Sequence, residues 1–249
     1  MGQPLYEGIA AEIREHILRG KLSPGQRLPS EADLVDQYGA ARQTVRHALT
    51  VLSREHLIIS GQGRGWFVRD TNPLVWNAWK PERNTRTDIQ PNDVWAQDVR
   101  DQGREPSERI EVAILIPELR IAERLGLGDG EHAVARRRIR YVDGDVSTTA
   151  DTYYPLEIVK DTPIARPGDV LPGVYAVLEQ LGHGWHTYRD EIIARAATVQ
   201  ESERFGVAVG DPMSEVVRTR YDGDKRPVAV TLTVVPGDRV IITYEGSSQ

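Results

Sequence analysis

The 249-residue sequence predicts an α+β chain in two domains. A small helical domain closed by a β-hairpin comes first, and a larger domain built on a mainly antiparallel sheet follows. Three observations predict this. Residues 5–54 carry apolar residues at helical spacing, in segments parted by glycine and proline turns. Gly61-Gln62-Gly63-Arg64-Gly65 stands between Leu57-Ile58-Ile59 and Trp66-Phe67-Val68, a hairpin pattern. From residue 106 onward strand-type runs alternate with short helices, an order that favours antiparallel pairing.

The first helix is expected from Leu5 to Arg19. Ile9, Ile13 and Ile17 recur every fourth residue, Tyr6 and Ala10 widen the face, and Gly20 ends it. Ser23-Pro24-Gly25 is a turn, and Leu28 plugs the core. Ser30 with Asp33 three residues on is a capping-box-like helix start; Leu34, Val35 and Tyr38 share one face, and Gly39 turns the chain. The next helix sets Val45, Ala48, Leu49 and Leu52 at i, i+3, i+4 and i+7, a buried stripe. Arg42, Gln43, Thr44, Arg46 and His47 fall outside that stripe, near the N-terminal end. Helix, tight turn, helix and glycine-tipped hairpin read together as a winged helix-turn-helix, in which that helix end meets base edges and phosphates of double-stranded DNA. Gln62, Gly63 and Arg64 form the tip of the wing, suited to a minor groove. A plain three-helix core with solubilising arginines shares each feature singly; the ordered set favours DNA.

Charge supports the same reading. Between Ala41 and Arg69 there are five Arg and one acid, Glu55, a balance of +4. Phosphate contact needs local, not global, positive charge. Residues 1–70 carry nine basic against eight acidic residues and residues 71–249 carry 22 against 29, so the chain's net −6 is +1 in the first part and −7 in the second. There is no cysteine, hence no disulfide, thiolate metal site or cysteine nucleophile. No apolar run approaches the ~18 residues of a membrane span, and no signal peptide precedes Leu5, so a soluble cytoplasmic protein is expected.

Domain bounds are expected at 1–69, 70–91 for a linker, and 92–249. Asp70-Thr71-Asn72-Pro73 breaks the last hairpin strand. Trp76 and Trp79 in a polar tether either pack back onto one domain, the favoured reading, or contact a partner chain. Residues 93–100 form a short helix. Further elements are expected at 112–116 (strand), 117–125 (helix), 133–142 and 146–154 (strands), 172–181 (helix), 191–197 (strand), 199–205 (helix), 215–221 and 228–235 (strands), and 240–244, a strand closing the sheet. Arg138-Ile139-Arg140-Tyr141 with its Asp-Gly turn is echoed by Arg218-Thr219-Arg220-Tyr221, which implies two similar hairpins in one sheet.

Taking Asp143-Gly144 as a two-residue turn, Arg140 faces Ser147, Arg138 faces Thr149 and Arg136 faces Asp151. These residues, with Tyr153 beyond, share one strand face, opposite an apolar face carrying Ala135, Ile139, Tyr141, Val146, Thr148 and Ala150. The polar face is either a wet surface with an Arg136–Asp151 pair or a site for an anionic or hydroxyl-rich small molecule, since guanidinium forks suit carboxylate and phosphate.

Pro24-Gly25-x-x-Leu28-Pro29-Ser30-Glu31, Arg42-x-Thr44-Val45-Arg46-x-Ala48-Leu49 and the glycine-rich wing make residues 5–68 resemble the DNA-binding domain of the GntR family of bacterial transcription regulators. The remainder, from about residue 90, resembles with weaker motifs the UTRA effector domain of the HutC subfamily, whose fold is similar to chorismate lyase. The resemblance implies a repressor with a palindromic operator, a homodimer joined mostly through residues 90–249, and no cofactor. It implies DNA contacts from Ser30, Glu31, Arg42, Gln43, Thr44, Arg46, His47 and the wing. It also implies effector contacts from Arg138 and Arg140, with Ser147, Thr149, Asp151 and Tyr153 beside them. The chain departs from the family pattern at Ala32 and Ala41, and at Ala229 and Val240, so operator and ligand are expected to differ from the usual ones.

His183-x-x-His186 lacks a third ligand at metal spacing, and no phosphate loop, dinucleotide fingerprint or nucleophile elbow appears. No catalytic residue is assigned. A chorismate lyase-like enzyme and a non-specific DNA-binding protein are the alternatives. Turnover of candidate acids would mark the first, and absence of sequence preference the second.

Overall fold

The computed structural model describes residues 4–61, 65–69, 72–78 and 94–245. The chain divides into two compact units, Met1–Asn72 and Pro73–Gln249.

The first unit holds α1 (Leu5–Leu18), α2 (Glu31–Tyr38), α3 (Arg42–Arg54) and the hairpin β1 (Ile58–Gly61) with β2 (Gly65–Val68). The Asp33 amide donates to the Ser30 hydroxyl, and the Asp33 carboxylate accepts the Ser30 N–H at 2.9 Å, closing the capping box that starts α2. Gly39 ends it at φ 58°, a left-handed conformation that glycine adopts without steric cost. Val45, Ala48, Leu49 and Leu52 are fully buried and meet Ile9, Ile13, Leu34 and Ile58 in one core. Leu28 N–H donates to Trp66 O and Val68 N–H to Gln26 O, so the segment before α2 lies along β2.

The second unit holds β3 (Leu74–Asn77), α4 (Val94–Asp101), β4 (Pro106–Leu115), α5 (Leu119–Leu125), β5 (Ala133–Val142), β6 (Asp145–Pro155), α6 (Leu156–Val159), α7 (Val174–Gln180), β7 (Thr187–Ala196), α8 (Val199–Phe205), β8 (Pro212–Tyr221), β9 (Pro227–Pro236) and β10 (Val240–Thr243). A 3-10 turn spans Pro163–Ala165. Six strands form one antiparallel sheet in the order β4-β5-β6-β9-β8-β7. The sheet is a pair of related halves, β4-α5-β5-β6 and β7-α8-β8-β9, joined where β6 meets β9. The echo extends eighty positions apart through Glu123/Glu203, Arg124/Arg204, Gly126/Gly206, Gly130/Gly210, Arg138/Arg218, Arg140/Arg220 and Tyr141/Tyr221. Gly126 and Gly206 both end their helices left-handed, at φ 66° and 63°. α5 and α8 cover one face, around Ile121, Leu125, Phe205, Val217 and Val230. The other face is covered by α6, the 3-10 turn and α7 around Val134, Tyr154, Ile164 and Leu178, and by α4 with β3 and β10 around Val99, Val142 and Val235.

Three expectations are corrected. β10 does not close the large sheet; it pairs in parallel with β3 as a separate ribbon. The expected linker at 70–91 therefore begins inside the second unit: Leu74 is buried, and Trp76 packs with Trp95, Val99 and Val240. Trp79 lies outside the described residues. The third correction is the hairpin register. Asp143 (φ 53°) and Gly144 (φ 88°) do form the two-residue turn, and Val142 faces Asp145. One residue is then bulged, so Arg140 faces Thr148, Arg138 faces Ala150 and Arg136 faces Thr152. A one-residue slip moves every later side chain to the other face.

Candidate nucleic-acid interface and arginine-rich sheet face

With the Val45–Leu52 stripe buried, α3 turns Arg42, Gln43, Arg46 and His47 outward, and Thr44 is half-buried. The Arg42 and Arg46 side chains are 73% and 63% exposed. Both are held by Glu31 at the start of α2, the Arg42 Nε at 3.3 Å and the Arg46 Nε at 3.1 Å. Burial pushes the Glu31 carboxyl up, but the two guanidinium groups outweigh it and hold it below its ordinary value. His47 stacks on Tyr6 of α1, ring centroids 3.9 Å apart. Ser30 spends its hydroxyl on the α2 cap. The sequence reading passed over Arg27, whose guanidinium lies against Gly65 at the tip end of the hairpin. The turn before α2 gave no sign that it would lie along β2. Gln62, Gly63 and Arg64 lie outside the described residues.

In the second unit, Arg136, Arg138 and Arg140 share the face covered by α4, α6 and α7. Thr149, Asp151 and Tyr153 project from the opposite face with Arg137, and Ser147 is the bulged residue beside Thr148. The expected six-residue face is thus split in two. Asp151 lies 3.9 Å from Arg137, not against Arg136, and burial pushes its carboxyl up. Arg136 is fully buried and donates to the carbonyls of Ile164 (3.0 Å), Arg166 (2.8 Å) and Gly168 (2.6 Å), so it pins that loop and is not offered to a ligand through those groups.

What joins Arg138 and Arg140 on their face comes from the other half of the sheet. Arg218 makes a fork to Asp190 with both bonds at 2.7 Å, donates to the Ala78 carbonyl at 2.5 Å, and lies 4.3 Å over the Tyr188 ring. The Tyr244 hydroxyl donates to the same Asp190 at 2.7 Å; burial and this bond push it up to about 12. Arg220 donates to Thr231 at 2.8 Å and lies over Trp185, as Arg140 lies over Trp95. Arg140 faces Glu108, 3.4 Å away. Arg138 faces Ile110 and, among the described residues, makes no hydrogen bond or ion pair. Thr148, Thr152 and Thr233 are buried between the two sets and supply hydroxyls. The face therefore presents more guanidinium than carboxylate, backed by hydroxyls and indole rings, which suits a small anion. Arg218 and Arg220 were visible in the sequence as an echo of the hairpin, and only the pairing of β6 with β9 places them here.

Among the described residues no three His, Asp or Glu side chains cluster as metal ligands, and no helix is long and apolar enough to cross a membrane. His183 Nδ1 lies 3.2 Å from Asp222.

Residues 101–241 match the UTRA domain, and residues 5–68 match the gntR family of bacterial regulatory proteins. The chain belongs to the GntR family. The HTH-type transcriptional regulator Rv0792c of Mycobacterium tuberculosis is 30% identical over 92% of this chain and 81% of its own. The HTH-type transcriptional repressor NagR of Bacillus subtilis is 25% identical over 97% and 94%. The mannosyl-D-glycerate transport/metabolism system repressor MngR of Escherichia coli is 46% identical, but over 27% of this chain and 28% of its own. The crystal structure of PhnF from Mycobacterium smegmatis superposes with a TM-score of 0.59 at 20% identity, over 96% and 99% of the two chains, a likeness of fold. The regulator thus has the expected architecture, a winged helix-turn-helix followed by an antiparallel α+β effector domain.

Proposed function

We propose that the regulator represses transcription by reading a palindromic operator as a homodimer, with α3 in the major groove and the wing beside it. The observation that carries this is α3 itself, with one side fully buried and the other presenting Arg42, Gln43, Arg46 and His47. Thr44 stands at the edge of the contact, and Arg27 and Arg64 add phosphate contacts. NagR and MngR are named as repressors, which supports the sign of the regulation. A mobility shift on DNA upstream of the regulator's own gene tests it. Arg42→Ala or Arg46→Ala should cost about 1–3 kcal/mol of operator binding where the side chain reads a base. Operator affinity retained by the double variant, with its circular dichroism unchanged, would remove α3 from the interface.

The effector is a small anion seated on the face of Arg138, Arg140 and Arg220, with Thr152 and Thr231 orienting its hydroxyl or carbonyl groups. This replaces Ser147, Thr149, Asp151 and Tyr153, which the bulge takes off that face. Arg218 links this face to Ala78, at the end of the strand that follows the winged helix in the chain, and supplies a route from ligand to DNA-binding unit. A ligand shifts operator affinity only by its differential affinity for two arrangements of the protein.

A further inference from the structure

We propose that the outer edge of β7 is the surface through which two copies of the regulator pair, antiparallel and about a two-fold axis at Ile193. The inference rests on the homodimer reading and adds to it a surface and a register. β7 is the last strand of the sheet, so one row of its N–H and C=O groups points away from β8. An open strand edge is a template for another strand. The centre of this edge is apolar: Ile192 is 50% exposed, Ile193 is 42% exposed, and Ala194 beside them is exposed.

The opposite edge, β4, is the related strand in the other half and serves as an internal control. It opens on Pro106 and carries Glu108 where β7 has Tyr188, a proline and a charge that disfavour edge pairing. Its own apolar stretch, Val112-Ala113-Ile114, is followed by Leu115 where β7 has Arg195, so a copy centred there would set Glu111 against Leu115 without a counter-charge.

Charge selects the register. A two-fold axis perpendicular to the sheet keeps each face continuous, so opposed residues must have equal parity. Centring on Ile193 sets Ile193 against itself, Ile192 against Ala194, and Glu191 of one copy against Arg195 of the other, twice. Opposite charges and apolar pairs in direct opposition stabilise a sheet, and like charges oppose it. Centring on Ile192 puts Arg189 against Arg195, and centring on Glu191 puts Glu191 against itself. Glu191 already holds Arg124 at 2.7 Å, and Arg195 holds Glu201 and Glu215. The cross-copy pair therefore joins two ordered networks instead of fixing two loose side chains.

The chain has no cysteine, which makes one substitution a clean probe. Ile193→Cys places two thiols across the axis within disulfide reach, since opposed Cα atoms in antiparallel strands are about 4.5–5.5 Å apart. Mild oxidation should convert most of this variant to a covalent dimer, while Ile114→Cys, 55% exposed on β4, should stay monomeric on a non-reducing gel. Ile193→Asp should convert the wild-type dimer to monomer by light scattering at micromolar concentration, without a change in circular dichroism. No crosslink at 193, equal crosslinking at 114, or an Ile193→Asp variant that stays dimeric would each overturn the β7 edge. A monomeric wild type would overturn the homodimer reading as well, so the two failures are distinguishable.

Discussion

Arg138 and Arg218 occupy the same place in the two halves of one sheet, and the two halves treat them oppositely. Across from Arg218 stands Asp190; across from Arg138 stands Ile110. The first arginine is locked into a fork with Asp190 and bonded to Ala78, whereas the second makes no hydrogen bond or ion pair among the described residues. Two residues further along the same strands, the pattern reverses, with Glu108 opposite Arg140 and Tyr188 opposite Arg220. A duplicated scaffold has thus assigned one arginine in each half to a carboxylate. The teaching is physical: the cross-strand neighbour, not the arginine, decides whether a guanidinium holds the fold or is offered to a ligand. The same contrast separates the two covering helices. α5 anchors with Ile121, which is buried, and α8 anchors at the equivalent position with Glu201, held by Arg195 at 2.6 Å.

The largest effect should come from breaking the locked half. Asp190→Asn leaves Arg218 buried without its counter-charge, and removal of one member of a buried pair costs about 3–5 kcal/mol. Arg138→Ala removes a side chain that, among the described residues, leaves no hydrogen-bond or ion-pair partner behind, and should cost less than about 1 kcal/mol. Urea unfolding of the two variants measures the difference. Equal losses would mean that the two arginines are equally structural.

Loss of Glu201 should separate the halves next. Arg195, with the Thr198 backbone and hydroxyl, outweighs burial and holds the Glu201 carboxyl down at about 2, against an ordinary value of 4.5. A depressed folded value gives stability that is present above the unfolded value and lost as pH falls through the folded one. The contribution, on the order of 2–3 kcal/mol, should therefore fade between about pH 4.5 and 2. Ile121, at the equivalent place in α5, has no such dependence, although α5 has its own ties, Arg120 to Glu215 and Arg124 to Glu191. Glu201→Gln should therefore remove this part of the acid slope and lower the protection of α8 while leaving that of α5 near wild type, as read by amide hydrogen exchange resolved by helix. Unchanged protection of α8 in the folded variant would show that the ion pair does not anchor α8.

The open half should govern regulation. A panel of small phosphorylated and carboxylated metabolites, screened by thermal shift, supplies a ligand. Its effect on operator affinity should be about 5–150-fold, the usual range of allosteric coupling. Arg138→Ala should abolish that effect and leave operator binding without ligand near wild type. A normal response in a folded variant would move the site off this face.

Much of this was legible in the sequence, and the rest was hidden for definite reasons. The α3 stripe and the Ser30 cap are local patterns, and local patterns were read correctly because residues three or four apart decide them. The Asp143-Gly144 turn was equally plain, because both positions need a positive φ that few residues accept. The bulge after it was not, since Ser147 bears no mark that distinguishes it from an ordinary strand residue. β3 was missed because its partner, β10, lies at the far end of the chain. Arg218 was noticed as part of an echo, but its role depends on Asp190, a residue of a strand whose register nothing in the sequence revealed.

The smallest expected effect tests that register directly. With an uninterrupted hairpin, Asp151 would share a face with Arg138; with the bulge it lies on the opposite face, beside Arg137. Burial pushes the Asp151 carboxyl up, so at neutral pH its charge costs stability, and the Arg137 guanidinium 3.9 Å away offsets only part of that. Stability from a carboxyl raised in the folded state is present below the unfolded value and is lost as pH rises through the folded one. Asp151→Asn removes this loss and gives up a partly exposed ion pair, so stability at pH 7 should stay within about 1 kcal/mol of wild type. The rising-pH slope above the ordinary carboxylate range should flatten. Most importantly, the response to the anion should be unchanged, because the asparagine lies behind the sheet from Arg138. A folded Asp151→Asn variant that no longer responds would put Asp151 and Arg138 on one face, and the bulged register would have to be abandoned.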